Sequence, residues 1–311
     1  MMDYKSKFEP KGNKVLHGAG QSLEMFNEYW KAVGEYKPLI YMTYIKIQKM
    51  DKWVDKIQKE IKEFPNLILQ IGLNFRVGGV GEFKDYSEGE DGTKDISEGK
   101  FDKELDKMFK IIKDFGNPVF IRLGYEFDKA DKHNPKNFIK AWRYIVDKYR
   151  REKINNIANV WCACPYKGTS PVEPYYPGDE YVDWFGIDVF SARHFANSAN
   201  LQTEDFLKLA EQHKKPVMVG ESSPARTGVD KGQESWDEWF KPYFKWIEDH
   251  PNIKAFCYIN WDWGKDWKQP EWLNGRIHEN ETIRKNFVKE LSKTKYLHNQ
   301  EISKFVKKSL Y

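Results

Sequence analysis

Cysteine is scarce in this chain of 311 residues. Cys162, Cys164 and Cys257 are too few for a disulfide framework, and all three sit inside apolar runs, so they read as buried thiols. Long apolar runs are missing altogether. No stretch is long and apolar enough to cross a bilayer, and no N-terminal apolar h-region precedes MMDYKSKFEPKGNKV. The chain as it stands is therefore expected to be cytoplasmic, or secreted where a signal peptide has been removed, with no membrane partner. A dominant sign of charge is also missing, because 51 Lys plus Arg oppose 47 Asp plus Glu for a net charge of +4. The two signs are interspersed as on a solvated surface, which argues against a nucleic-acid partner. No His-x-His or His-Glu-x-x-His spacing occurs, so no metal site and no cofactor are expected.

What the chain does have is aromatic residues, 16% of the total with 12 Trp, several in polar surroundings such as NWDWGKDW from Asn260. Carbohydrate clefts have this texture, because the C–H face of a sugar stacks on a ring while its hydroxyls need polar partners. Most individual rings still read as core or interface fill.

Eight short apolar runs alternate with longer stretches of helical period. They are VLHGA from Val15, PLIYMTYI from Pro38, NLILQIGL from Asn66, PVFIRLGY from Pro118, NVWCACPY from Asn159, YVDWFGIDVF from Tyr181, KPVMVGES from Lys215 and IKAFCYINW from Ile253. The runs show little polar alternation, as expected of strands covered on both faces. Between them lie amphipathic stretches such as DKWVDKIQKEIKEF and PKNFIKAWRYIVDKYRREK, the latter with Pro135 near its first turn and a basic last turn. Eight such units predict an α/β protein, a single (β/α)8 TIM barrel spanning residues 1–311, rather than a doubly wound sheet. The Gly- and acid-rich stretch from Arg76 to Lys100 reads as a long βα loop, and the segment from Lys293 as a helical tail outside the barrel.

In such a barrel the strand C-termini carry the chemistry. The polar residues there are His17, Asn74, Arg76, Tyr125, Glu126, Asp128, Tyr166, Asp188, His194, Glu221, Asn260 and Asp262, with Trp261 and Trp263 beside them. Glu126 and Glu221 end the fourth and seventh strands, across the mouth from one another. Such a pair suits retaining glycoside hydrolysis, in which one carboxylic acid protonates the leaving oxygen and the other attacks the anomeric carbon from roughly 5–5.5 Å away. The plainer alternative is a helix cap or a surface ion pair. Arg122 alternates onto the same strand face as Glu126, where it is a candidate for holding Glu221 ionised.

These residues resemble glycoside hydrolase family 26, the β-mannanase and endo-glycanase family of the large retaining barrel clan. The resemblance rests on RLGYEF, where Arg122 and Glu126 match the family's fourth-strand motif in register. It rests also on Trp142-Arg143 in the following helix, on YYPGDEYVD from Tyr175 to Asp183, and on Glu221 in KPVMVGES. It covers roughly Asn66 to Trp263. The resemblance implies a retaining endo-β-glycoside hydrolase acting on a β-mannan-like or other β-linked polysaccharide, with Glu126 as acid/base and Glu221 as nucleophile. Two positions depart from the family: Tyr125 stands where it has His, and Phe190 where it has a sixth-strand Tyr that contacts the nucleophile.

Among the other candidates, Trp261 is expected to floor the sugar beside the cleaved bond or to seal the barrel end, and Asp188 to bind a sugar hydroxyl or accept a structural hydrogen bond. His17 and His194 are candidates for orienting substrate or for plain packing. Tyr166, Asn74, Asp262 and Trp263 are candidate subsite residues. The partner expected is a polysaccharide or oligosaccharide, bound by a monomer. A catalytically inactive carbohydrate-binding barrel and a metal hydrolase using His17, Asp188, His194 and Glu221 are the competing readings.

Overall fold

Each of the eight apolar runs forms a parallel strand. In a computed structural model, which describes residues 4–78, 89–129, 132–165, 171–195 and 201–303, the strands are β1 (Val15–Gly20), β2 (Ile40–Lys46), β3 (Ile68–Asn74), β4 (Val119–Leu123), β5 (Ile157–Ala163), β6 (Trp184–Val189), β7 (Val217–Ser222) and β8 (Ile253–Ile259). Each pairs with its sequence neighbours, and β8 pairs back onto β1 from Leu16↔Ala255 to Gly20↔Ile259, closing the barrel. The fold is the (β/α)8 TIM barrel expected from the sequence.

Burial on both faces explains the runs. Alternate residues point in, where Leu16, Ile40, Met42, Ile68, Phe120, Val160, Trp184, Met218 and Cys257 form one cluster. Their neighbours point out, where Val15, Tyr41, Leu69, Ile121, Trp161, Phe185, Val219 and Phe256 join the helices in a second cluster. The three cysteines are free and buried.

Among the described residues, seven helices of more than two turns pack outside: α1 (Leu23–Ala32), α2 (Met50–Glu63), α3 (Asp102–Phe115), α4 (Pro135–Arg151), α5 (Leu201–Gln212), α6 (Lys241–Asp249) and α7 (Glu281–Leu291). The start of α4 is set by Asn134, whose side chain accepts the Asn137 N–H at 3.1 Å, and by Pro135 in the first turn. Its inner face buries Phe138, Trp142, Ile145, Val146 and Tyr149, each contributing about 1.5–3 kcal/mol before conformational entropy is counted.

After β5 the described residues contain two short 3₁₀ turns, Glu173–Tyr175 and Asp179–Tyr181, where a helix would complete the pattern. That segment is fastened to α4 instead. The Trp142 indole donates to the Tyr181 carbonyl at 3.1 Å, and Arg143 donates to the Pro177 carbonyl at 2.8 Å.

Two expectations about connections need correction. The stretch from Arg76 to Lys100 is more ordered than a plain loop, with an antiparallel pair Arg76–Val77 and Glu90–Asp91 and a short helix Thr93–Ser97; residues 79–88 lie outside the described ones. The segment from Lys293 does not start as a helix. Tyr296–Leu297 adds a strand to β1, Asn299–Glu301 is a 3₁₀ turn, and helix begins only at 302, with residues 304–311 outside the described ones.

Candidate active site

The fourth strand ends in a turn that aims its last side chains over the barrel. Gly124 follows Leu123 with φ +57, where an added Cβ would lie 2.7 Å from both Phe75 and Phe138, so a side chain has neither the room nor the backbone conformation. The chain is then pinned on both sides: the Gly124 N–H donates to the Leu73 carbonyl on β3, and the Glu126 N–H to the Cys162 carbonyl on β5, each at 2.8 Å. Phe127 anchors the turn outward by stacking on Trp161 at 4.7 Å. Glu126 has φ +52, an uncommon conformation for a residue with a side chain. Glu126 is 8% exposed, and its carboxylate pairs with Lys129 at 2.5 Å.

Below this turn, Arg122 is fully buried and serves two carboxylates. Its guanidinium donates to Glu221 Oε1 on β7 at 2.9 Å and pairs with Asp188 on β6. Burial alone would push the guanidinium down, but the surrounding anionic groups, Asp188 first, raise it well above its usual range and keep it charged. Glu221 is 7% exposed. Its Oε1 also accepts the Tyr44 hydroxyl from β2 at 2.6 Å, and Arg122 donates to that hydroxyl at 3.1 Å.

Tyr125 lies between cations. Its ring centroid is 4.9 Å from the Arg122 guanidinium and 4.9 Å from the Lys132 ammonium, and it meets the Tyr44 ring edge-on at 5.3 Å. Lys132 also donates to the Tyr125 carbonyl, and burial pushes its ammonium down to about 8. Burial would raise the Glu126 carboxyl, but Lys129 and then Lys132 outweigh it and hold the group below the usual carboxylate range. Asp128 is different. Burial lifts it to about 6, and its Oδ1 accepts the Cys164 N–H at 2.9 Å.

Several sequence candidates are placed elsewhere. His17 points outward from β1: its Nε2 meets the Tyr29 hydroxyl at 2.7 Å and its Nδ1 meets His298 at 3.2 Å, away from the mouth. Asn74 accepts the Arg76 N–H at 2.8 Å and shapes the turn after β3. His194 caps its own 3₁₀ turn through the Ser191 N–H at 3.2 Å. Asn260 accepts the Ile277 N–H at 3.0 Å, and Asp262 caps the short helix Trp263–Asp266. Asp188 is in the site but wholly buried beneath it, bound to Arg122 rather than open to a sugar hydroxyl. Tyr166 lies outside the described residues. His17, Asp188, His194 and Glu221 are therefore not brought together as one set of ligands.

Trp261 and Trp263 belong to a ring cluster at the end of β8. Trp261 lies 5.5 Å from Trp263 and 5.3 Å from Trp267, and Trp263 lies 4.8 Å from Trp272. The Trp263 indole donates to Ser223 at 2.8 Å, two residues beyond Glu221. Phe190 packs against Trp263 and Trp272. The hydroxyl that reaches Glu221 thus comes from Tyr44, on the second strand, a residue the sequence reading did not single out.

The sequence matches the profile described as Glycosyl hydrolase family 26 over residues 86–262, more than half of the chain. It is 25% identical to a protein named beta-1,3-xylanase TXYA from Vibrio sp, with 93% of this chain and 67% of that protein covered. It is 24% identical to a beta-1,3-xylanase from Alcaligenes sp, with 92% and 65% covered. The chain thus spans about two thirds of the length of these relatives. Among solved structures it is similar to GH26C from Muricauda sp. MAR_2010_75, at TM-score 0.66 and 14% identity over 93% of this chain and 88% of that one. An endo-beta-1,4-mannanase double mutant from Cellulomonas fimi gives TM-score 0.63 at 16% identity over 89% and 68%. At these identities the structural likeness concerns the fold.

Proposed function

The chain belongs to glycosyl hydrolase family 26, and on that premise we propose that it is an endo-acting glycanase that cleaves a β-linked polysaccharide with retention of configuration. Glu221 is the nucleophile and Glu126 the acid/base. The observation that carries this reading is the unequal holding of the two glutamates: Glu221 is fixed by the buried Arg122, whereas Glu126 has a half-exposed lysine as its partner. A nucleophile has to be ionised and aimed, and an acid/base has to gain and lose a proton in each cycle.

In the first step an oxygen of Glu221 bonds to the anomeric carbon while the glycosidic C–O bond breaks, and the leaving oxygen takes the proton of Glu126. In the second, water attacks the same carbon, gives its proton to Glu126, and the ester electrons return to Glu221. Lys129 holds Glu126 ionised in the free site, the state required of the base in the second step. For the first step, a sugar seated on Glu126 displaces Lys129 and deepens burial, and both changes raise the carboxyl.

For the substrate we propose β-1,3-xylan, supported by the names of the two relatives that match more than nine tenths of this chain. The test is a panel of β-1,3-xylan, β-1,4-mannan, β-1,3-glucan and mixed-linkage glucan, with products sized by chromatography and their first-formed anomers read by NMR. Oligomeric β-products from the xylan are expected. First-formed α-anomers would overturn retention, and binding without turnover across the panel would return the protein to a carbohydrate-binding barrel.

A further inference from the structure

We propose that Tyr44 is a positioning residue for the attacking carboxylate, fixing one oxygen of Glu221 so that the other is presented to the sugar; the inference rests on the double-displacement reading above. Two donors converge on Glu221 Oε1, the Tyr44 hydroxyl at 2.6 Å and the Arg122 guanidinium at 2.9 Å. Among the described residues none bonds to Oε2. The carboxylate is therefore asymmetric before any substrate arrives, with Oε1 occupied and Oε2 the oxygen left to attack.

The hydroxyl is itself held in place. It takes a hydrogen bond from Arg122 at 3.1 Å, and of the two acceptors in reach of its proton, Glu221 Oε1 at 2.6 Å and the Met42 sulfur at 3.1 Å, the carboxylate is the nearer and the charged one. Burial first, and then the Glu221 charge, raise the phenol well above its usual range, so it remains a donor at any working pH. The ring is placed by Gly72, its cross-strand partner on β3. An added Cβ there would lie 2.7 and 2.8 Å from two Tyr44 ring atoms and 3.1 Å from Tyr125. A glycine on this strand is the space in which the tyrosine lies.

The bond changes strength during the cycle. When Oε2 forms the glycosyl ester, Oε1 becomes a neutral carbonyl oxygen, and donation to it weakens. When water cleaves the ester, the electron pair and the charge return to the carboxylate and the bond regains its charged acceptor. Tyr44 thus favours departure of Glu221 in the second step more than its attack in the first.

The experiment compares wild type with Tyr44→Phe, which keeps the ring and removes the hydroxyl, and Gly72→Ala, which keeps the hydroxyl and displaces the ring. Turnover is measured on β-1,3-xylan, or on whichever panel polysaccharide the protein hydrolyses, and the first turnover on an aryl β-glycoside of the matching oligosaccharide. Thermal unfolding reports the fold. For Tyr44→Phe we expect kcat to fall about 10- to 100-fold, the size of one hydrogen bond to a charged group. KM should fall with it, and a burst of aryl alcohol should appear as the glycosyl-enzyme accumulates. Gly72→Ala should lower kcat in the same direction. Unchanged kcat in folded Tyr44→Phe, or a loss of kcat with KM unchanged or raised and no burst, overturns the inference. Wild-type turnover by Glu221→Gln would instead overturn the double-displacement reading itself.

Discussion

Glu221 on β7 is gripped from below by a fully buried arginine and a part-buried tyrosine, whereas Glu126 beyond β4 is gripped from the side by a lysine whose side chain is 42% exposed. The difference follows from where each residue sits. Glu221 is part of a strand, and the inward neighbours available to it are the barrel's own layers: Arg122 from β4, Tyr44 from β2 and, through Arg122, Asp188 from β6. Glu126 lies three residues past its strand, and its side-chain partner comes from the same turn, at i+3. The lesson is one of exchange rates. Moving Arg122 would leave buried carboxylates uncompensated, at a cost of about 3–5 kcal/mol. Moving Lys129 costs less, because its own side chain is 42% exposed and Lys132 still faces the Glu126 carboxylate.

Removing each carboxylate breaks the comparison at its two ends. Glu221→Gln removes the proposed nucleophile, and hydrolysis of the cognate polysaccharide should fall by about 10⁴- to 10⁶-fold. Glu126→Gln should cost less, about 10²- to 10⁴-fold, because proton transfer is only part of the barrier. Its loss should also be smaller for substrates with an acidic leaving alcohol, which depart without protonation. Steady-state rates on the polysaccharide and on a matched aryl glycoside separate the two. Equal losses on both substrates would remove the distinction drawn between the residues.

Lys129→Met sharpens the comparison without touching either carboxylate. Lys129 is the leading influence that holds the Glu126 carboxyl below its usual range against burial. In its absence burial has less opposition, and the carboxyl should rise. If Glu126 is the general acid, only the fraction of free enzyme that carries its proton is competent for the first step, so the basic limb of the kcat/KM profile reports this group. That limb should move to higher pH in Lys129→Met, with less than about tenfold change at the optimum, since the lysine is not itself a reacting group. A limb that stays in place would show that Lys129 does not set the protonation of the site.

Much of this was legible in the sequence because closed parallel barrels write themselves as apolar runs. Strands buried on both faces cannot hide among loops, and all eight were readable, as was the Pro135 start of α4. The same two-sided burial concealed which side chains face in. Tyr41 and Tyr44 lie in one run, and with apolar residues on both parities nothing local says that Tyr41 joins the outer cluster while Tyr44 reaches Glu221. His17 was misplaced for the same reason, since its parity sends it to Tyr29 and His298. Lys129 was hidden differently. Its contact needs the left-handed turn at Glu126, a tertiary choice that no periodicity signals. The two-residue strand Tyr296–Leu297 is too short to carry a pattern at all.

The smallest expected effect concerns how the turn that carries Glu126 is tied from outside. Asp91, in the pair of short strands after β3, accepts from His133 Nδ1 and the Asn134 N–H, each at 2.8 Å, and from the Thr93 N–H at 3.1 Å. It thus fastens the β3–α3 connection to the start of α4, just beyond the turn that carries Glu126. Burial alone would raise the Asp91 carboxyl, but these bonds, His133 first, bring it down to about 2. A carboxylate depressed on folding contributes stability that is present above its unfolded value near 4 and is lost as pH falls toward 2. Because the side chain is partly solvated, we expect Asp91→Ala to cost only about 1 kcal/mol, or about 2 °C in Tm, at pH 5. The difference from wild type should shrink steadily between pH 4 and pH 2. Thermal unfolding followed across that range checks it. A gap that persisted at pH 2 would mean that Asp91 acts through packing rather than through its charge.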